Sequence, residues 1–385
     1  MQDAQHFDAI VIGGGPAGST AARKMATLGL RTLVLERSRH PRYKACGGGV
    51  PARTVKLVGL SIEEAVEGEV STIEVSHFGE RSFRKHSAEP FAYMVMRDRF
   101  DALLLSAAAE AGAEVHEDEG ARAIEVNATT VCVTTERGRY IAPYTIGADG
   151  ATGPTGRWTG LGQTLPRSAA YELEIEAPAA SLERWEATAN VDVGYRPWGY
   201  GWVFPKAGRL SVGLVLSPGR GQSIRAETAR YVERLGLRGA SVSSAVGHPI
   251  LYRRGTTTAI ARGPVLLTGD AAGLADEFTA EGIAYAVHSG TLAAASVEAA
   301  LGGAGQAAAQ YQEAVDRSIQ AELDAARAIS RMYYRCVTLW PRLALWASRQ
   351  VDYFWRAFFR VMRGEARYDS ELKRWPLLRA STRVL

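Results

Sequence analysis

Phe7–Gly18 reads FDAIVIGGGPAG, an apolar run that closes on Gly13, Gly15 and Gly18. A continuous apolar run fits a buried parallel strand, and Pro16–Leu28 after it reads as a helix. The start of such a helix faces a pyrophosphate, because its unpaired N–H groups and its dipole favour an anion. Gly13 makes the tight turn, Gly15 lets backbone N–H groups approach the phosphates, and Gly18 lets helix and strand pack closely. A second apolar strand, Arg31–Leu35, ends in Glu36, where a carboxylate accepts hydrogen bonds from the ribose hydroxyls of an adenosine. Strand, glycines, helix, strand and acid in register predict an α/β dinucleotide-binding domain.

The 385 residues are enough for about two domains. A hydrophobic content of 46% fills a sizeable core. The net charge of +4 is unevenly spread: residues 327–385 hold 13 Lys and Arg against 4 Asp and Glu, and the remainder hold 32 against 37. Such a tail suits an anionic partner, a lipid headgroup or a diphosphate, or forms a solvated helix face. Nothing interleaves bases and aromatics as a nucleic-acid module does, so no nucleic acid is expected. Cys46, Cys132 and Cys336 are odd in number and far apart, which writes neither a disulfide framework nor a metal motif. No leader precedes Phe7 and no run of 18 strongly apolar residues exists. The reading expects a cytoplasmic monomer or weak oligomer, at most peripheral on the inner face of a membrane.

Further along, strand begins after Ala65 with VSTIEVSHFG, and Arg97–Gly112 reads as a helix with Phe100, Leu103, Leu104 and Ala107 on one face. Ala121–Val126, Thr130–Thr135 and Tyr140–Ile146 predict an antiparallel meander returning to the first sheet. DVGYRPWGYGWVFP and GRLSVGLVL, joined at Lys206-Ala207-Gly208, belong to an inserted sheet. From Gly263 the chain returns to a buried strand and then to long helices. The predicted fold is α/β: a Rossmann-like domain (1–64, 97–167 and 263–300), an inserted antiparallel-sheet substrate domain (65–96 and 168–262), and a C-terminal helical region (301–385).

Two further turns sharpen the cofactor. Gly147-Ala148-Asp149-Gly150 and Gly269-Asp270-Ala271-Ala272 each end a strand in an acid, the second before a helix expected from about Thr279. In this order they resemble the FAD-binding oxidoreductases that include aromatic hydroxylases, flavin halogenases and geranylgeranyl reductases. The resemblance implies bound FAD, with Asp270 on a ribityl hydroxyl. It places the next helix start, at Gly282 and Ile283, by the flavin pyrimidine edge, where its dipole stabilises an anionic reduced ring. Arg97-Asp98-Arg99-Phe100-Asp101 resembles the RxxFD element of the class and puts Arg97 beside the cofactor. Ala17, Arg37, Cys46, Gly47, Gly48, Asp149 and Gly269 complete the implied FAD contacts.

Within that class, Lys44–Pro51 (KACGGGVP) resembles the KxCGGG element of geranylgeranyl reductases, and Tyr200–Pro205 (YGWVFP) resembles their YxWxFP, unlike the WxWxIP of halogenases. The implied activity is reduction of double bonds in a polyprenyl chain by reduced FAD, with NADPH or reduced ferredoxin as electron donor. Tyr200, Trp202 and Phe204 share one strand face as lining candidates, and Cys46 is the candidate proton relay. An FAD-dependent monooxygenase or halogenase is the alternative. One departure stands out: the family's GDAAGxxNPxTGEGI is GDAAGLADEFTAEGI here, with Asp276 and Glu277 for Asn-Pro and Ala280 for Gly. Two carboxylates facing a reduced flavin oppose its charge, so at least one is expected to point away. In the tail, Arg327, Arg331 and Arg335 share a helix face, as do Arg356 and Arg360, among tryptophans suited to an anionic interface.

Overall fold

The computed structural model describes residues 4–162, 165–219 and 221–374. Ala9–Ile12 is wholly buried, with Thr32–Leu35 on one side and Tyr144–Gly147 on the other, all parallel. Val265–Leu267 and Glu114–His116 extend the parallel sheet, and Ala261–Arg262 adds an antiparallel edge. Helices cover it with Ala21, Ala22 and Met25 from Pro16–Thr27, Leu105 and Ala108 from Arg97–Glu110, and Ala293 and Val297 from Ile283–Leu301. The predicted meander exists, but Tyr140–Ile146 is two strands. Arg139–Ala142 closes a small sheet with Val131–Thr134, and Tyr144–Gly147 joins the main one. Pro143 sits at the break, where its missing N–H ends a ladder.

These elements form one of two compact units, Met1–Tyr43, Asp98–Pro166 and Leu251–Asp324. The other comprises Lys44–Arg97, Arg167–Ile250 and Ala325–Leu385. Its seven-stranded sheet is antiparallel except where Thr188–Val193 runs parallel to Thr72–His77. The aromatic strand Gly199–Lys206 is near its middle, paired with Arg209–Leu216 through a two-residue turn in which Gly208 takes φ +70°. Val203, Leu210, Val212 and Leu214 bury one face, beneath Ile224 and Tyr231 of the helix Ile224–Arg234.

The units correct the sequence-based boundaries. Residues 44–64 belong with the second unit, because Gly49–Pro51 pairs with Ala92–Val95. Residues 251–262 belong with the first, where the Arg253 N–H donates to the Gly273 carbonyl at 2.7 Å. The C-terminal region is no separate body. Up to Asp324 it packs on the first unit, where Tyr311 donates to the Leu267 carbonyl and Arg253 pairs with Asp316, each at 2.7 Å. From Ala325 it belongs to the second, where the Trp198 indole donates to Ser330 at 2.8 Å.

Candidate functional site

The cradle in the first unit is shaped by missing side chains. Gly13, at φ +105°, has no room for a Cβ, which would stand 2.4 Å from the Ala148 carbonyl. A Cβ on Gly18 would lie 1.9 Å from the Gly13 carbonyl, so strand end and helix start touch through backbone alone. Gly15 differs: a Cβ there would meet only the Arg42 guanidinium, at 3.9 Å. Open space, an uncapped helix start and a cation converge at this point, which fits a pyrophosphate.

Arg42 escaped the sequence reading. Asp101, fully buried, holds it at 3.0 Å. The signal was present in the helix Arg97–Glu110: Asp101 lies between Phe100 and Leu104 on a face buried by Phe100, Leu104, Leu105 and Ala108. A carboxylate there requires a buried partner. That face is turned slightly from the expected one, leaving Leu103 and Ala107 half-buried. Arg97, at the helix start, is itself buried.

Glu36 is buried just past its strand, and its carboxylate accepts from the Gly14 N–H at 2.7 Å and from the Ser38 N–H at 2.9 Å. Each oxygen keeps a lone pair for a ribose hydroxyl while the pair of bonds fixes the glycine turn. Arg37 beside it is exposed. Gly269 packs against Ala17, and a Cβ on Gly282 would lie 3.2 Å from the Asp270 carboxylate, so these four positions lie together. Asp149 accepts from the Thr155 N–H at 2.9 Å, steadying its own turn. Burial pushes the Asp149 carboxyl above the usual range, offset in part by that bond.

Helix begins at Ile283 rather than near Thr279, and the reason settles the two unexpected carboxylates. Asp276 is fully buried and accepts from the N–H groups of Phe278 and Thr279 at 2.8 and 2.6 Å, folding a turn that leaves Ala280 at φ +56°. Glu277 is held by both forks of Arg254 at 2.8 Å. Both charges therefore have partners within their own unit.

In the second unit, the glycine segment lies directly on the aromatic strand. A Cβ on Gly47 would meet Phe204 at 2.9 Å and the Trp202 indole nitrogen at 3.0 Å, and Gly48, at φ +76°, lies against Lys206. Trp202 lies 6.4 Å from Tyr200 and 6.3 Å from Phe204, ring to ring, along one face. Cys46 is half-buried, and its sulfur accepts weakly from the Gly48 N–H at 3.5 Å. Two buried carboxylates on this face were missed. Glu172 and Glu174 alternate along Arg167–Glu176, opposite Gly213 and Ser211, and so share the face of Trp202 and Phe204. Glu174 pairs with Lys206 at 2.5 Å, both side chains almost fully enclosed. YELEIE reads as a strand with a wet side, but both sides of this sheet are covered.

Residues 6–325 match the FAD binding domain family. Geranylgeranyl diphosphate reductase of Rhodobacter capsulatus is 32% identical over 308 residues, covering 77% of this chain and 76% of that protein. The chain belongs to the geranylgeranyl reductase family of FAD-dependent oxidoreductases. Digeranylgeranylglycerophospholipid reductase of Thermoplasma acidophilum is another relative of this family, 30% identical over 327 residues, 75% of this chain and 77% of that one. A geranylgeranyl bacteriochlorophyll reductase-like protein from Thermoplasma acidophilum superposes with TM-score 0.76 at 25% identity, covering 86% and 88% of the two chains. The flavin-dependent brominase Bmp2 shares the fold, with TM-score 0.73 at 18% identity over 94% of each chain. FAD is thus the cofactor of this reductase-family chain, and the first unit's cradle fits its pyrophosphate and ribose.

Proposed function

We propose that this protein saturates carbon–carbon double bonds in a polyprenyl chain of geranylgeranyl type. One observation carries the reading: Lys44–Pro51 and Tyr200–Pro205, distant in sequence, are packed on each other, with Gly47, next to Cys46, so close to Trp202 and Phe204 that a Cβ there would stand about 3 Å from both rings. Relatives named as reductases of geranylgeranyl diphosphate and of digeranylgeranylglycerophospholipid point to the same substrate class. Bound FAD, once reduced, supplies the hydride.

An isolated trisubstituted alkene is electron-rich and has no carbonyl to accept charge. A proton must therefore reach one carbon with or before the hydride reaching the other. In this reading the Cys46 thiol gives that proton and is reprotonated from solvent, while Tyr200, Trp202 and Phe204 line the chain's path. Their faces stabilise the tertiary cationic character, and their bulk keeps out water that would trap it. Gly13, Gly15, Gly18 and Arg42 hold the pyrophosphate, Glu36 the ribose and Asp270 the ribityl chain. Electrons come from NADPH or reduced ferredoxin, and a nicotinamide would visit transiently, because the chain carries one GxGxxG.

The test is anaerobic photoreduction of the FAD-loaded protein followed by mixing with geranylgeranyl diphosphate or a geranylgeranylated lipid. The expected outcome is flavin reoxidation without oxygen and a product heavier by two hydrogens per bond reduced. Reoxidation on admission of air alone, with an oxygenated or halogenated product, would assign the monooxygenase or halogenase chemistry instead.

A further inference from the structure

Two helices near the C-terminus share a composition of aromatics and arginines but have opposite surroundings. Asp352–Met362 turns Trp355 onto Phe83 at 5.7 Å and Phe359 onto Phe91 at 5.1 Å, ring to ring, and Asp352 is anchored by Lys85. Pro341–Gln350 buries only Ala344 and Leu345. Leu343 is 58% exposed and Trp346 61%, and at the preceding corner Leu339 is 53% and Trp340 59% exposed. Leu343 and Trp346, three residues apart, share one helix face as a stripe, and Trp340 stands at the N-cap that leads into it. Arg342 and Arg349 stand four residues before and three after Trp346, so they flank that stripe. Both are exposed and make no ion pair among the described residues.

Two tryptophans and two leucines within eight residues, all more than half in solvent, mark an interaction surface. We propose that this stripe docks on an anionic bilayer, with Trp340, Leu343 and Trp346 entering the headgroup region and Arg342 and Arg349 meeting lipid phosphates. Charge selects the occupant: residues 327–385 carry 13 basic against 4 acidic side chains. A second copy meeting this one face to face would set the same arginines against each other. Ten residues are too few to span a bilayer, and no described helix is long and apolar enough to cross one, so the helix lies in the interface plane. The Trp355 indole donates to the Ser348 carbonyl at 2.7 Å, which fixes the exposed helix on the buried one. Arg360 and Arg363, by contrast, have carboxylate partners, Glu371 at 3.1 Å and Glu365 at 2.6 Å. The proposal rests on exposure and charge, independently of the substrate.

Co-sedimentation of the FAD-loaded protein with vesicles of phosphatidylcholine alone, or mixed with phosphatidylglycerol, tests it. The wild type should pellet with the mixed vesicles at low salt, less at high salt and less with phosphatidylcholine alone. R342Q/R349Q should lower binding to mixed vesicles on the order of tenfold or more. W340S/W346S should lower it comparably, with both double variants keeping their FAD. Absence of wild-type binding to anionic vesicles at every salt concentration, or wild-type binding by both double variants, overturns the proposal. A wild-type dimer that W340S/W346S converts to monomer, without any vesicle binding, assigns the stripe to a second copy and overturns it equally.

Discussion

The first unit makes its site by leaving side chains out, and the second by filling a face with them. Around Gly13, Gly15 and Gly18 backbone meets backbone, and the functional surface is a set of N–H groups with Arg42 beside them. On the sheet of the second unit, Tyr200, Trp202 and Phe204 stand in a row under the Cys46 loop, beside buried Glu172 and Glu174. One arrangement suits a charged cofactor of fixed shape. The other suits an apolar chain whose reacting bond needs a proton in a dry place. The difference teaches that binding and chemistry should fail separately when each unit is altered.

The largest effect is expected for Gly18→Val, because even the first added carbon would sit 1.9 Å from the Gly13 carbonyl. The variant should yield no FAD-loaded protein, read as flavin absorbance after purification. Lys206→Met should cost about 3–5 kcal/mol in unfolding experiments, since it strands the Glu174 carboxylate in the interior. Recovery in Lys206→Met/Glu174→Gln would show that the stranded charge is the cause. Glu36→Ala and Asp270→Ala should each weaken FAD binding by about 1.5–3 kcal/mol in titrations of apoprotein. Unchanged affinity in both would dissolve the contrast between the units. The smallest effect is a gain: Ala280→Gly should raise stability by about 0.5–1 kcal/mol, because Ala280 sits at φ +56° where a side chain is strained.

What could be read in the sequence follows the same division. The cradle was legible because tight turns and close helix–strand packing demand glycine at fixed spacing, and Glu36 follows its strand directly. Arg42 was not, since its role depends on Asp101 across a large loop. Glu172, Glu174 and Lys206 pass for the wet side and end of ordinary strands until the sheet is seen covered on both faces. The tail was legible in composition but not in fate. Phe83 and Phe91, far upstream, decide that Trp355 and Phe359 are buried, and nothing equivalent covers Trp340 and Trp346 among the described residues. Boundaries failed at 44–64 and 251–262 because Gly49–Pro51 pairs within the second unit and Ala261–Arg262 and Arg253 bond within the first, choices local periodicity does not encode.

The central claim is that FAD is gripped by the first unit while the alkene step depends on the second. Anaerobic stopped-flow of reduced, fully FAD-loaded proteins mixed with geranylgeranyl diphosphate tests it directly, comparing wild type, Cys46→Ser and Glu36→Ala. The account predicts that Cys46→Ser holds FAD as tightly as wild type but reoxidises more slowly on mixing. Glu36→Ala, once saturated with FAD, should reoxidise at the wild-type rate. Equal rates for Cys46→Ser and wild type, or slowing confined to Glu36→Ala, would contradict it.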